Sequence, residues 1–235
     1  MSRVNRATRI VSAVLIIAGV LLLSDVAVTL AWQEPVTALI GLVKRGGIDR
    51  RYLSYSTMPL TRRQQASLMR LTSSEERIAY LARQEQREVP AGAAIGRLEI
   101  AAIGVDYEVV QGTSTSDLEL GPGHYASTPL PGLGETVAIA GHRTTYLAPF
   151  RNLNQLRPGS RLVLQMPYAT FYYRVTRLRV VTPDAWWITR NVGYEQLVLS
   201  ACNPLYSASQ RLAVFARLYA VHPAPAKLDG TWTSA

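Results

Sequence analysis

The run 194-YEQLVLSACNPLYSASQRLAVFARLYAV-221 holds the only cysteine of the 235-residue chain. Leu197, Val198 and Leu199 form an apolar run that leads to Cys202. Asn203 and Pro204 end that strand, because proline has no ladder donor and fixes its own φ. Arg211 opens a second strand in which Leu212, Val214, Ala216 and Leu218 alternate at period two. Two neighbouring strands therefore hold a thiol and a guanidinium at one end of a sheet. A thiol in that place is either a buried plug or a nucleophile.

Upstream of this run, short strand-like segments recur: 95-IGRLEIAAIG-104, 105-VDYEVVQG-112, 136-TVAIAG-141, 161-RLVLQM-166 and 170-TFYYRVTRLRVV-181. Gly and Pro punctuate them, and Ile103-Gly104 suits a hairpin turn. Only 114-STSDLEL-120 and 148-APFRNLNQL-156 read as helical turns. Six to eight short strands over residues 90–222 predict an all-β domain, a closed barrel or a sandwich.

The N-terminal part differs. Residues 10–32, IVSAVLIIAGVLLLSDVAVTLAW, are long enough at about 1.5 Å per residue to cross a bilayer core of roughly 30 Å. Asp25 interrupts the span beyond its midpoint, and Trp32 stands where an interfacial aromatic belongs. Arg3, Arg6 and Arg9 make residues 1–9 a basic tip and predict a cytoplasmic N-terminus. A cleaved signal peptide is the rival reading; without a clean small-x-small site, an uncleaved anchor is favoured. Either way the remainder lies outside the cytoplasm, where an unpaired cysteine is unusual. Residues 33–89 are expected to be an extracellular linker and helical spacer. Residues 33–60 look irregular, and a charged helical stretch over 61–88 carries Ser73 or Ser74 as a cap and a thin stripe of Met69, Leu71, Ile78 and Leu81. The tail 223–235 reads as disordered.

The net charge of +9 does not point to nucleic acid. Residues 1–9 carry three Arg and no acid, 33–89 ten basic against six acidic residues, and 90–222 eleven against eight, with signs interspersed. No basic stripe results, and an anionic membrane surface suits the distribution better than DNA. A lone cysteine excludes an internal disulfide and a Cys-based zinc site, and no acidic run has calcium-loop spacing, so neither metal nor cofactor is expected. Of the three histidines, His222 reads as a surface residue and His124 sits in a loop. His142 ends an apolar strand at a polar turn, as catalytic side chains do at a barrel rim.

Taken together, 139-IAGHRTTYLAPFRNL-153, Cys202 and Arg211 nine positions later resemble the sortases, and Gly-His-Arg-Thr-Thr-Tyr with Gly-Pro-Gly-His-Tyr at 121–125 is most similar to their class E in actinobacteria. The resemblance covers residues 90–222 and the anchor-plus-spacer layout. It implies an eight-stranded β-barrel and a membrane-bound cysteine transpeptidase that cleaves an LPXTG- or LAXTG-like signal after Thr. The partners it implies are surface proteins bearing that signal and a cell-wall peptide amine as acceptor. It assigns Cys202 as nucleophile, His142 as acid and base, Arg211 as oxyanion donor, and Tyr125, Arg143 and Thr144 as substrate-contacting residues. Where the family carries Thr before the nucleophile this chain has Ala201, which removes one hydroxyl expected to line the substrate. A barrel-fold cysteine hydrolase and a membrane-tethered binding module with an inert thiol are the alternatives. The absence of a second hydrophobic span after residue 222 argues against a pilus-polymerising type.

Overall fold

The computed structural model describes residues 2–31 and 35–224. Trp32 and residues 225–235 lie outside the described residues. Eight strands close into one barrel in the order β1-β2-β3-β4-β7-β8-β6-β5. They are β1 (Ala94–Ile100), β2 (Val105–Gln111), β3 (Gly123–His124), β4 (Thr136–Ala140), β5 (Arg161–Met166), β6 (Ala169–Val181), β7 (Gln196–Asn203) and β8 (Gln210–Pro223).

Period-two patterning places the core. Val137 and Ile139 of β4, Leu197, Leu199 and Ala201 of β7, and Leu212, Val214 and Ala216 of β8 point into the barrel with Phe150, Phe171 and Tyr173. The intervening residues Ala138, Val198, Ala213 and Phe215 are buried too, in a smaller outer cluster with Ile188. The middle of β8 is thus buried on both faces, so its burial does not alternate although its pleat does. The β1–β2 turn runs through Gly104 at φ 68°, a left-handed conformation that glycine adopts without a Cβ penalty. β3 escaped the sequence reading because two residues carry no measurable period. His124 there is 1% exposed; its Nδ1 lies 2.9 Å from Gln111 Oε1 and its Nε2 3.1 Å from Thr128 Oγ1. Burial holds its pKa down at about 4.

Four helices precede the barrel: α1 (Ser2–Ala31), α2 (Pro35–Ser56), α3 (Arg62–Leu68) and α4 (Ser74–Glu88). Within α1, Arg6–Thr29 is long and apolar enough to cross a membrane, with none of it buried against the protein. Thr61 and Ser73 each close a capping box at the start of α3 and α4. Ile78, Leu81 and Ala82 of α4 enter the main core, while Met69 of the expected stripe is 74% exposed.

The largest departure from the sequence reading is α2. Residues 33–60 look irregular in sequence, yet Pro35–Ser56 is one helix. Pro35 sits at its first position, where the missing N–H costs nothing. Gly46 and Gly47 each weaken the helix by about 1 kcal/mol relative to alanine. Tertiary contacts override that: Ile48 and Tyr52, four apart, are buried with Ala94 of β1 and Val110 of β2, and the Tyr52 hydroxyl donates to the Gln165 carbonyl at 3.2 Å. The region assigned as a spacer is therefore packed on the barrel at both α2 and α4.

Candidate active site

Three adjacent strands build the site. β4 runs parallel to β7 with Ala140 opposite Ser200, and the Gly141 N–H donates to the Ser200 carbonyl at 3.0 Å. Continued two residues past the end of β4, the same register puts His142 level with Cys202. β8 runs antiparallel to β7 with Arg211 directly opposite Cys202. Parity then fixes the face. Ile139, Ala201 and Leu212 point inward, so their neighbours Ala140, Cys202 and Arg211 point outward. Gly141 continues the alternation: a Cβ there would lie 2.5 Å from the ring of the buried Phe150, which requires glycine and turns His142 outward. His142, Cys202 and Arg211 consequently share the outer face at one rim of the barrel.

Each of the three has a defined local environment. Cys202 is half-buried and borders a cleft of about 350 Å³ with Arg143, Thr144, Pro204, Tyr206 and Ser207. The Nε2 of His142 is buried and has no hydrogen-bond partner among the described residues. An unsatisfied buried ring nitrogen is costly unless it serves a reacting group. Burial lowers the pKa of His142, and the charge of Glu119 opposes that shift. The Arg211 guanidinium donates to the carbonyls of Ala208 and Gln210 at 2.9 and 3.0 Å, so it is held by the β7–β8 loop.

Among the residues expected to contact substrate, Tyr125 and Thr144 do reach this rim. The Tyr125 hydroxyl lies 2.9 Å from Ser200 Oγ, and Ser200 shares the outer face of β7 with Cys202. Sequence reasoning passed over Ser200, although its spacing of two from Cys202 was a usable signal. Arg143 lines the same cleft as Thr144, and its guanidinium is engaged by protein groups. Its side chain is buried, and its Nη1 donates to the Cys202 carbonyl at 3.2 Å and to Asn203 Oδ1 at 3.1 Å. On its other edge Nε and Nη2 donate to the Arg151 carbonyl at 3.4 and 3.3 Å, and Nη2 to Asn154 Oδ1 at 2.9 Å. Burial and the neighbouring Arg151 lower its pKa, while Cys202 raises it. Arg143 thus clamps the loop after His142 to the end of β7. Ala201 is 4% exposed and packs inside the barrel, on the face away from Cys202.

The loop from His142 to Phe150 folds back on itself, with the Phe150 N–H donating to the His142 carbonyl at 2.9 Å. Tyr146, Leu147 and Ala148 take positive φ of 49°, 64° and 44° in succession. Such a run costs of order 1–3 kcal/mol per residue and persists only where the surroundings over-determine it.

A thiol that borders an open cleft, with an imidazole just past the end of β4 and a guanidinium opposite it on β8, supplies the residue types that acyl transfer through sulfur uses. A sortase domain matches residues 98–219, just over half of the chain, and the chain belongs to the sortase family. It is 35% identical to sortase D of Bacillus subtilis over 114 residues, 48% of this chain and 56% of that protein. It is 26% identical to sortase E1 of Streptomyces coelicolor over 148 residues, 56% of this chain and 42% of that protein. The chain thus spans about half the length of the curated relatives it matches. Sortase E of Streptomyces avermitilis, 32% identical, superposes with a TM-score of 0.52 over 57% of this chain and 93% of that one. Sortase E1 of S. coelicolor with a tripeptide in its active site, 25% identical, gives a TM-score of 0.55 over 56% and 91%.

Proposed function

We propose that the chain is a class E-type sortase: a single-pass membrane protein, N-terminus cytoplasmic and barrel outside, held at the plasma membrane by residues 10–32. It cleaves an LPXTG- or LAXTG-like signal after Thr and transfers the protein to a cell-wall peptide amine. The observation that carries this reading is the direct pairing of Cys202 on β7 with Arg211 on β8, with His142 two residues past the end of the neighbouring β4.

The Cys202 thiolate attacks the Thr carbonyl carbon, forming a C–S bond while the carbonyl π pair moves to oxygen. Arg211 leaves the loop carbonyls it holds and turns its fork to that oxyanion, a task suited to a group that stays charged. The intermediate collapses, the C–N bond breaks, and the departing amine takes a proton from the His142 imidazolium. An acceptor amine then attacks the thioester, gives a proton to His142, and the thiolate leaves. Tyr125 and Ser200, hydrogen-bonded to each other, stand two residues from Cys202 along β7, and Thr144 lines the cleft that Cys202 borders. Arg143 fixes the loop while bordering the cleft, and Ala201 acts through core packing.

The test uses the full chain in detergent with LPXTG and LAXTG peptides, with and without an amine acceptor. Amine-dependent ligation that Cys202→Ala abolishes is expected. Cleavage indifferent to amine supports a hydrolase, and turnover that survives Cys202→Ala removes the thiol mechanism.

A further inference from the structure

We propose that α2, the helix that follows the membrane span, positions the catalytic histidine through the chain Lys44–Glu119–Tyr146–His142. This rests on the reading of His142 as the acid and base. No sequence pattern links these residues, since α2, the segment after α5 (Thr115–Leu118) and the His142 loop are distant in the chain.

The contacts run without a gap. Lys44 Nζ on α2 donates to Glu119 Oε2 at 2.5 Å, and the other carboxylate oxygen of Glu119 accepts from the Tyr146 hydroxyl at 3.1 Å. The Tyr146 ring lies 5.4 Å from the His142 ring, centroid to centroid, tilted by 34°. Two further contacts bind the same loop to α2. The Tyr146 N–H donates to Thr37 Oγ1 at 3.1 Å, and Gly41 packs so closely on the loop that a Cβ would lie 2.9 Å from Leu147 Cγ. The Tyr107 hydroxyl donates to the Leu147 carbonyl at 3.3 Å, while Arg45 of α2 stacks on the Tyr107 ring at 4.6 Å.

These contacts fall on Tyr146 and Leu147, the first two of the three consecutive left-handed residues Tyr146 to Ala148. A strained loop is kept in place by its surroundings, and here α2 supplies a large share of them. The loop in turn sets where the unpartnered Nε2 of His142 lies. The groups that bear on His142 are Glu119 from the segment after α5, with Lys44 behind it on α2, and Tyr146 in its own loop. Arg143 is next in the chain, but its guanidinium is taken up by Arg151, Asn154, Asn203 and the Cys202 carbonyl. Glu119 favours the imidazolium that burial disfavours, so it both orients the ring partner and supports the charge the ring needs. Because α2 leads directly from the membrane span, the rim that carries the chemistry is braced by the same helix that tethers the barrel.

The experiment uses the full chain in lipid nanodiscs. Lys44→Ala and Glu119→Gln should each lower kcat on the order of tenfold with KM changed less than about twofold, since misplacing a catalytic group costs rate more than binding. Lys44→Arg should restore the rate, and Lys44→Ala should add no further loss in the Glu119→Gln background. In parallel, the His142 ring is titrated by NMR, assigned with His142→Ala; Glu119→Gln should lower its midpoint. Full kcat in Lys44→Ala, or losses that multiply in the double variant, overturn the proposal, as does an unmoved His142 titration. If His142→Ala keeps ligation activity while the titration still moves with Glu119→Gln, the catalytic reading of His142 falls and the positioning contacts stand.

Discussion

Arg143→Lys separates the role the sequence suggests for Arg143 from the role its contacts define. A residue that grips substrate can be changed with a rise in KM and little change in stability. The observed guanidinium is buried and spends its donors on four acceptors: the carbonyls of Cys202 and Arg151 and the side chains of Asn203 and Asn154. These acceptors lie on opposite edges of the planar group. A lysine ammonium is a point charge and reaches one edge or the other. At least two partly buried hydrogen bonds to a charged donor are then lost, at about 1.5 kcal/mol each, for a total of about 3 kcal/mol. For a domain of this size that lowers Tm by about 6–12 °C. The measurement is thermal unfolding of the full chain in detergent, followed by circular dichroism, alongside steady-state ligation kinetics. The clamp predicts a lower Tm together with a lower kcat, because the loop carrying His142 is released from β7. An unchanged Tm with a raised KM would falsify the clamp and return Arg143 to the substrate groove.

Arg211→Lys is expected to cut turnover by about 10²–10³ with Tm unchanged, since a half-exposed rim residue contributes little to the core; near-wild-type kcat would contradict the oxyanion role. Gly141→Ala forces a methyl to 2.5 Å from the buried Phe150 ring, so unfolding measurements should show a loss of about 1–3 kcal/mol and kinetics a lower rate, because His142 is the next residue. Wild-type stability and rate in that variant would mean the rim is not so tightly packed. Burial, with Asp49 of α2 alongside, raises the Glu108 carboxyl to about 7. The stability it contributes is complete below the ordinary carboxylate pKa of about 4.5 and is lost as pH rises through 7, at no more than about 1.4 kcal/mol per pH unit. Chemical unfolding between pH 5 and 8 should show that decline in the wild type and a flatter profile in Glu108→Gln; parallel profiles would remove Glu108 as its source.

The sequence by itself determined the parts that depend on neighbours in the chain. Period two gives the strand that begins at Arg211, and the apolar run before Cys202 gives its neighbour, and with them a thiol and a guanidinium at one end of a sheet. A long apolar run with basic residues before it marks α1 as a membrane-span candidate, and the residues flanking His142, Cys202 and Arg211 carry the family resemblance. Parity also decides which side Ala201 takes: one position from Cys202 along a strand is the opposite face, and the expectation of a substrate-lining role set that alternation aside.

Only the tertiary structure decided what depends on residues far apart in the chain. The parallel pairing of 136–140 with 196–200 brings His142 beside Cys202, and no local pattern names that partner. The helix over Pro35–Ser56 runs against its own glycine pair because Ile48 and Tyr52 find a buried seat on β1 and β2. Arg143 reads as a rim residue in sequence and becomes a buried clamp because its acceptors come from two other stretches of the chain, 151–154 and 202–203. The same holds for Lys44 and Glu119: an ion pair across 75 residues exists only once the barrel has closed and α2 has docked on it.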